Sequence, residues 1–455
     1  MTIASEQLKG GTRRRVGSLL AVVSLALVML AVGAIGLLTR TSSTAKTITA
    51  ARGPVSVPPV IDTGSLSQVI ANLQARLRAV PADWHSFGRL GQAYVQEARV
   101  TADPTYYPKA EGVLNRSLRL QPSGNFEALT GLAALSAARH EFAAALSWGQ
   151  KAISINPYSA EAQAIVGDAE VELGRYQEAF GTFQRAVDLK PELSTYARVS
   201  YAWELQGNVQ NAIRAMQLAL QSAGSASDAA WAANQLAELY WNSGRLDRAE
   251  AWYHDAIGRD PTFIPPHAGL AKIEVAKGRL GPAVRDFGWV VNRYPAPEYV
   301  IALADALAVA GRSTEASRQY ALVHAEEELF RANGVNIDLE VALFDADHRV
   351  DLARGLAAAQ AEWGRRQSIQ VADALAWQLY ANARFEDALT HANEALRLGT
   401  RNALFFFHRG MIESALRSTG AARRDLSRAL AINPNFSILW SKVAARTLAA
   451  LGGAR

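Results

Sequence analysis

A pattern of about 34 residues recurs ten times between positions 84 and 434, and it restricts the fold more than any other feature of the chain. The fifth copy is the best preserved: Ala233, Leu236, Ala237, Tyr240, Gly244, Ala249, Tyr253, Ala256 and Pro261. Small residues let two paired helices approach closely, while glycine and proline end helices. The pattern therefore predicts ten helix–turn–helix units, stacked into one continuous all-α solenoid rather than several separate domains.

Two copies depart from this register. The first carries about seven extra residues around 99–109. The eighth is degenerate and keeps only part of the apolar pattern: Ile337, Val341, Phe344, Ala353 and Ala357. An amphipathic segment at 65–80 predicts an additional helix that packs on the first repeat. A last helix at 437–451 is expected to cover the tenth repeat, which would otherwise expose an apolar face.

The repeated residues resemble the tetratricopeptide repeat over 84–434. The resemblance implies a right-handed superhelix of antiparallel helix pairs that binds peptides or protein surfaces. Two segments, 333–348 and 395–416, are also similar to exported actinobacterial repeat proteins of unassigned activity. The chain is therefore expected to hold a peptide or protein partner rather than to catalyse a reaction.

Residues 16–38 form an uncharged apolar run, long enough as a helix to cross a hydrocarbon core of about 30 Å. Four basic residues precede it, which predicts a cytoplasmic N-terminus and an extracytoplasmic solenoid. A cleaved signal peptide, which would leave a secreted protein, is the alternative interpretation. The predicted organisation is a basic N-terminus at 1–15, a transmembrane helix or signal anchor at 16–38, a flexible linker at 39–64, a packing helix at 65–80, the repeats at 84–434 and a capping helix at 437–451.

The net charge of +5 lies entirely in the N-terminal region. Residues 1–46 contain six basic residues and one acidic residue, whereas residues 47–455 contain 41 of each sign. Nucleic-acid binding usually needs a concentrated basic face, so the sequence predicts no nucleic-acid partner. The chain has no cysteine, which excludes disulfides, thiol catalysis and zinc–thiolate sites.

The family resemblance implies that the first helix of each repeat faces a concave groove, with particular positions directed at a ligand. Carried onto this sequence, the candidate partner-binding residues are Tyr201, Glu204, Trp231, Asn234, Glu238, Trp241, Asp305, Asp373, Trp377 and Tyr380. Aromatic side chains there could anchor a partner, or could pack against a neighbouring helix. The acidic side chains favour a basic or amine-bearing partner, although they could also be solvated helix surface.

No catalytic residue or cofactor is predicted, since the sequence contains no HExxH, GxSxG or P-loop motif and its histidines are scattered. Two groups of residues are possible metal ligands: the acidic residues near His324, and the group Asp345, Asp347, His348 and Asp351. Their spacing matches neither a zinc helix nor a calcium loop, so a solvated surface is the preferred interpretation. An accessory protein that delivers a solute or metal to a membrane transporter through the acidic groove is the alternative function.

Overall fold

The computed structural model describes residues 65–101 and 103–453. The predicted N-terminus at 1–15, membrane segment at 16–38 and linker at 39–64 lie outside these residues. Among the helices that are described, none is both long enough and apolar enough to cross a membrane.

The described part of the chain forms 22 helices, which comprise one N-terminal helix, ten pairs and one C-terminal helix. Their bounds are α1 Leu66–Ala79, α2 Trp84–Thr101, α3 Tyr106–Leu120, α4 Phe126–Ala138, α5 Phe142–Ile155, α6 Ala160–Glu172, α7 Tyr176–Leu189, α8 Leu193–Leu205, α9 Val209–Gln221, α10 Ala226–Asn242, α11 Leu246–Arg259, α12 Pro265–Ala276, α13 Leu280–Arg293, α14 Pro297–Val309, α15 Ser313–Ala332, α16 Asp338–His348, α17 Leu352–Arg365, α18 Ile369–Ala381, α19 Phe385–Ala395, α20 Ala403–Ala415, α21 Thr419–Ile432 and α22 Ser441–Gly453.

Each pair of helices is held together by the small and large apolar residues that define the repeat. In the fifth repeat, which is α10 and α11, Leu236, Ala249, Tyr253 and Ala256 are all completely buried. Alanine allows the two helix backbones to lie close together, and the leucine and tyrosine side chains fill the space between them. The repeats thus form a continuous all-α solenoid.

The two terminal helices are fixed by short polar caps. The Ser65 side chain accepts a hydrogen bond from the backbone N–H of Gln68 and starts α1. At the other end, α22 begins at Ser441, four residues later than the sequence pattern predicts. The Ser437 hydroxyl accepts a hydrogen bond from the Trp440 N–H at 3.2 Å, in a turn that places the Trp440 indole against the tenth repeat before the helix starts.

The solenoid closes on itself after five repeats. In repeats one to five, the turn between the two helices lies against the loop that follows repeat six, seven, eight, nine or ten, respectively. We call this row of contacts the closing seam. Its polar contacts join residues about 195 positions apart: Tyr294 to Arg99, Asn336 to Arg139 and His140, Arg366 to Glu172, Ile369 to Tyr176, Thr400 to Leu205 and Asn433 to Trp241.

Glycines at three of the seam turns allow the backbones to approach. Gly174, Gly207 and Gly244 all have positive φ, between +72° and +75°. A Cβ atom on Gly207 would lie 2.4 Å from the carbonyl oxygen of Gly399, and one on Gly244 would lie 2.6 Å from the carbonyl oxygen of Ile432. These three turns therefore favour glycine for two reasons: the left-handed backbone and the lack of space for a Cβ atom.

The seam also contains buried ion pairs. The Arg366 side chain is 2 % exposed, donates to Glu172 across the seam at 2.6 Å, and pairs with Glu362 in its own turn of the solenoid. Removing one member of such a group leaves an uncompensated buried charge. The closed form is therefore held by specific polar contacts as well as by apolar packing.

Candidate functional site

A small cavity between repeats four and five is lined by two hydrogen-bond acceptors that no described residue pairs. It measures about 10 Å³ and is lined by side chains of α8, α9 and α10, including Ser200, Glu204, Gln235, Glu238 and Asn242. A cavity of that size holds about one water molecule or one similarly sized group. Glu204 and Glu238, two of the candidate partner-binding residues from the sequence analysis, both line this cavity.

Two acceptor oxygens at this cavity have no hydrogen-bond partner among the described residues, the Oε2 atom of Glu204 and the Oε1 atom of Gln235. The other Glu204 oxygen accepts from Asn242 at 3.2 Å, and Gln235 is only 4 % exposed. Burial is the main reason that the pKa of Glu204 is raised to about 7, and the Glu238 charge adds to the effect. The cavity therefore favours an occupant that donates hydrogen bonds and carries positive charge.

Glu238 already has two donors. Its carboxylate accepts from Lys272 Nζ at 2.9 Å and from the Tyr253 hydroxyl at 2.6 Å. The same ammonium lies 5.2 Å from the centre of the Trp241 ring. Lys272 thus shows, within the chain itself, how a primary ammonium is bound between a carboxylate and an indole.

A second cluster of proposed partner-binding residues lies in repeats nine and ten. Trp377 is 3 % exposed, stacks on Tyr380 at 4.7 Å, and donates from its indole N–H to Asp347 at 2.8 Å. Asp373 lies 3.0 Å from the Nδ1 atom of His408, which also stacks on Trp377. These residues therefore contact one another in the interior of the solenoid.

The remaining candidates are dispersed. Tyr201 is buried and accepts a hydrogen bond at 2.8 Å from Gln370, across the closing seam. Trp231 and Asn234, in the first half and at the middle of α10, are 6 % and 5 % exposed, and each has one buried polar atom that lacks a partner among the described residues. Asp305 accepts from the Tyr320 hydroxyl at 2.9 Å, and burial raises the pKa of this carboxyl to about 7.

The acidic residues considered above as possible metal ligands form hydrogen bonds and ion pairs with separate partners. Asp345 pairs with Arg354, whereas Asp347 accepts hydrogen bonds from the indoles of Trp377 and Trp440. His348 lies 3.4 Å from Asp305. Within residues 65–101 and 103–453, no group of three or more histidine or acidic side chains is arranged to hold a metal ion.

Several important residues were not singled out from the sequence. Gln235 and Asn242 lie in the first helix of the fifth repeat, but at positions other than those implied by the family resemblance. The buried pair of Arg198 and Asp168, joined by hydrogen bonds of 2.8–3.1 Å, connects neighbouring repeats. A 30-residue spacing close to the repeat length was the available signal for that pair.

The geometry defines an α-solenoid built from helix-pair repeats, and comparison with known families specifies the repeat. Residues 156–194 and 232–263 match models of the tetratricopeptide repeat. The chain therefore carries tetratricopeptide repeats. Proteins built from them generally act as protein-interaction scaffolds.

One curated relative is the cellulose synthase 1 operon protein C of Komagataeibacter xylinus, which is 26% identical over 221 residues. The match covers 46% of this chain but only 16% of that protein. Among solved structures, the pilus biogenesis factor PilW is 19% identical, with a TM-score of 0.37 over 44% of this chain and 92% of that one. A thermophilic repeat protein of Thermus thermophilus is 20% identical, with a TM-score of 0.35 over 46% of this chain and 98% of that one.

Proposed function

We propose that this protein is a non-enzymatic scaffold that binds a cationic segment of a peptide or protein partner on the inner side of repeats four to six. The unpaired acceptors at the cavity, Glu204 Oε2 and Gln235 Oε1, are the observation that carries this proposal. A buried acceptor without a donor is costly, and an incoming ammonium group would supply both hydrogen bonds and charge. Lys272 beside Glu238 and Trp241 supports a lysine side chain as the recognised group.

The aromatic candidates have a supporting role in this proposal. Trp241 and Trp231 lie in α10, the helix that also supplies Gln235 and Asn242 to the cavity. Glu238 lines the cavity itself, whereas Tyr201 and Asn234 lie next to lining residues in α8 and α10. Asp373 and Trp377 are buried and paired within the chain, so the proposal assigns them a structural role rather than contact with the partner.

Binding of lysine-containing peptides tests the proposal. The protein should be tested against a displayed peptide library that carries free lysine, acetyl-lysine or arginine at the same positions. It should retain peptides with free lysine and release those in which the ammonium is acetylated or replaced. Glu204→Gln should lower the affinity for the selected peptides about tenfold, because it removes one charge-assisted hydrogen bond. Glu250→Gln is the matched control. Glu250 lies on α11, does not line the cavity, and pairs with Lys277. Equal binding by both variants and the parent protein would reject the cavity as the binding site.

We also propose that residues 16–38 anchor the chain in the membrane, with the solenoid outside the cytoplasm, as in the exported actinobacterial repeat proteins that it resembles. The apolar run and the preceding basic residues support this orientation. Protease added to intact spheroplasts should digest the solenoid and leave the N-terminal segment. Protection of the solenoid would reverse the orientation, and a mature N-terminus after residue 38 would favour secretion.

A further inference from the structure

Three buried carboxyl groups in repeats seven and eight each have an oxygen without a hydrogen-bond donor. They are the Oε2 atoms of Glu298 on α14, Glu326 on α15 and Glu340 on α16, and none has a partner among the described residues. The Glu326 residue as a whole is only 6 % exposed. An ionised carboxylate in such surroundings is costly, because it loses water without gaining a donor or a cation. The three groups therefore favour the protonated form.

The basic side chains around these carboxyls are paired with other acids. The pairs are Lys272 with Glu238, Arg331 with Glu327 and Glu328, Arg354 with Glu327 and Asp345, Arg365 with Asp338 and Glu362, and Arg366 with Glu172 and Glu362. His324, on the same helix as Glu326, also faces Glu327. Protonation, rather than an ion pair, is therefore the way in which the three carboxyls are neutralised.

Burial raises the pKa of all three carboxyls. The pKa of Glu326 and that of Glu340 rise to about 8, although the nearby charge of Arg366 opposes the rise at Glu340. The pKa of Glu298 rises well above its ordinary value, because the charges of Glu326 and Glu340 add to the effect of burial. Ionisation of one carboxyl thus makes ionisation of the next more costly.

Two of these acids flank a loop of the closing seam. Glu326 precedes this loop, which joins α15 to α16 at 333–337, and Glu340 follows it. Across the seam, the Asn336 N–H donates to the Arg139 carbonyl at 3.4 Å, and the Nδ1 atom of His140 donates to the Asn336 carbonyl. Four apolar residues around the loop are buried together with residues of repeats one and two: Phe330, Val335, Ile337 and Val341. The carboxyls therefore lie beside the contact that joins repeats two and seven.

We propose that Glu298, Glu326 and Glu340 form a proton-operated latch of the closing seam. With protons on the three carboxyls, α14, α15 and α16 pack together and hold the loop at 333–337 against repeat two. Loss of the protons above neutral pH places like charges in a buried region without donors, and the loop is released from the seam. The latch does not depend on the proposed peptide site.

The direction of the pH effect follows from which form of the chain keeps the protons. In the unfolded chain a glutamate has a pKa of roughly 4.3, whereas Glu326 and Glu340 in the folded chain have pKa values of about 8. Well below the unfolded pKa, both forms are protonated and the carboxyls contribute no difference. Between the two pKa values only the folded form retains the protons, so its stability falls as the pH rises. His140 does not titrate in this range, because burial lowers its pKa to about 3.

Glu326→Gln tests the latch in the full-length protein, because glutamine has the shape of a protonated carboxyl but cannot ionise. Urea denaturation of the variant and the parent should be compared at about pH 4.5 and about pH 8. Relative to its effect at the lower pH, the substitution should reduce the unfolding equilibrium constant about tenfold or more at the higher pH, which corresponds to one pKa unit. Glu328→Gln is the matched control on the same helix. The Glu328 side chain is 72 % exposed, so this variant should show no such gain.

Amide hydrogen exchange of the parent protein measures the opening itself, whether or not the variant folds. After correction for the intrinsic exchange rate at each pH, protection of residues 330–341 should fall at least about tenfold between roughly pH 6 and pH 9, relative to residues 226–259 of repeat five. Constant relative protection, an effect of Glu326→Gln that is equal at both pH values, or the same gain in Glu328→Gln would each overturn the proposal.

Discussion

Arg366→Met should lower the free energy of unfolding by about 3–5 kcal/mol at neutral pH. The arginine is buried between Glu172 across the seam and Glu362 in its own half of the solenoid. Methionine fills much of the space but leaves the buried Glu172 carboxylate without its cation, while Glu362 keeps only Arg365. Urea denaturation followed by circular dichroism would measure the loss.

Arg365→Met is the matched control for this variant. Arg365 pairs with Asp338 and Glu362, but its side chain is 45 % exposed, so about 0–1 kcal/mol is expected. Burial raises the pKa of Glu172, and Arg366 opposes that rise. Without the arginine the pKa rises further, so the variant takes up a proton as the pH falls and its deficit should shrink. A deficit that is equal in both variants, or independent of pH, would contradict a buried ionic seam.

Gly207→Ala should be more destabilising than Gly311→Ala, although both glycines occupy the same kind of turn. The two residues have φ of +72° and +77°, so alanine costs each about 1–2 kcal/mol of backbone strain. Only at Gly207 does the added methyl group meet a backbone oxygen, that of Gly399. Overpacking should add about 1–3 kcal/mol there.

Denaturation of the two glycine variants gives the difference directly. Small-angle scattering adds an independent measurement, because forcing the Gly207 turn away from the Gly399 loop should increase the radius of gyration. The Gly311 variant should keep the radius of the parent. Equal stability losses and equal radii would show that the seam is not formed in solution.

The sequence predicted the repeated part of the fold because that part depends on local spacing. Leu236 and Tyr240 lie at helical spacing before Gly244, and Ala249 and Tyr253 follow it. Each of these residues contacts its own helix pair or a neighbouring repeat, within about one repeat length. Periodicity was therefore sufficient to find all ten pairs, including the degenerate eighth.

Closure could not be predicted in the same way. Glu172 and Arg366 are separated by 194 positions, and neither occupies a position that defines the repeat. The pitch of the superhelix decides which turn meets which loop, and small rotations between successive repeats set that pitch.

The candidate site was predictable only in part for a related reason. A repeat position fixes the helix on which Trp377 or Glu204 lies, but not how much space the closed solenoid leaves beside it. Trp377 donates a hydrogen bond to Asp347 and stacks on His408, whereas Glu204 has one oxygen without a hydrogen-bond partner among the described residues. Gln235 supplies the other free acceptor, and nothing in its sequence neighbourhood distinguishes it from a packing residue.

The closing seam should also change how the molecule opens and refolds. An open solenoid can fray from its ends, because each repeat depends mainly on its neighbours. Here repeats one and two are tied to loops after repeats six and seven, so amide hydrogens near the N-terminal end of the solenoid should exchange as slowly as those in its middle. Contacts at such long sequence separation also slow folding. Refolding should therefore show rapid helix formation followed by a slower step, in which the two halves of the chain meet.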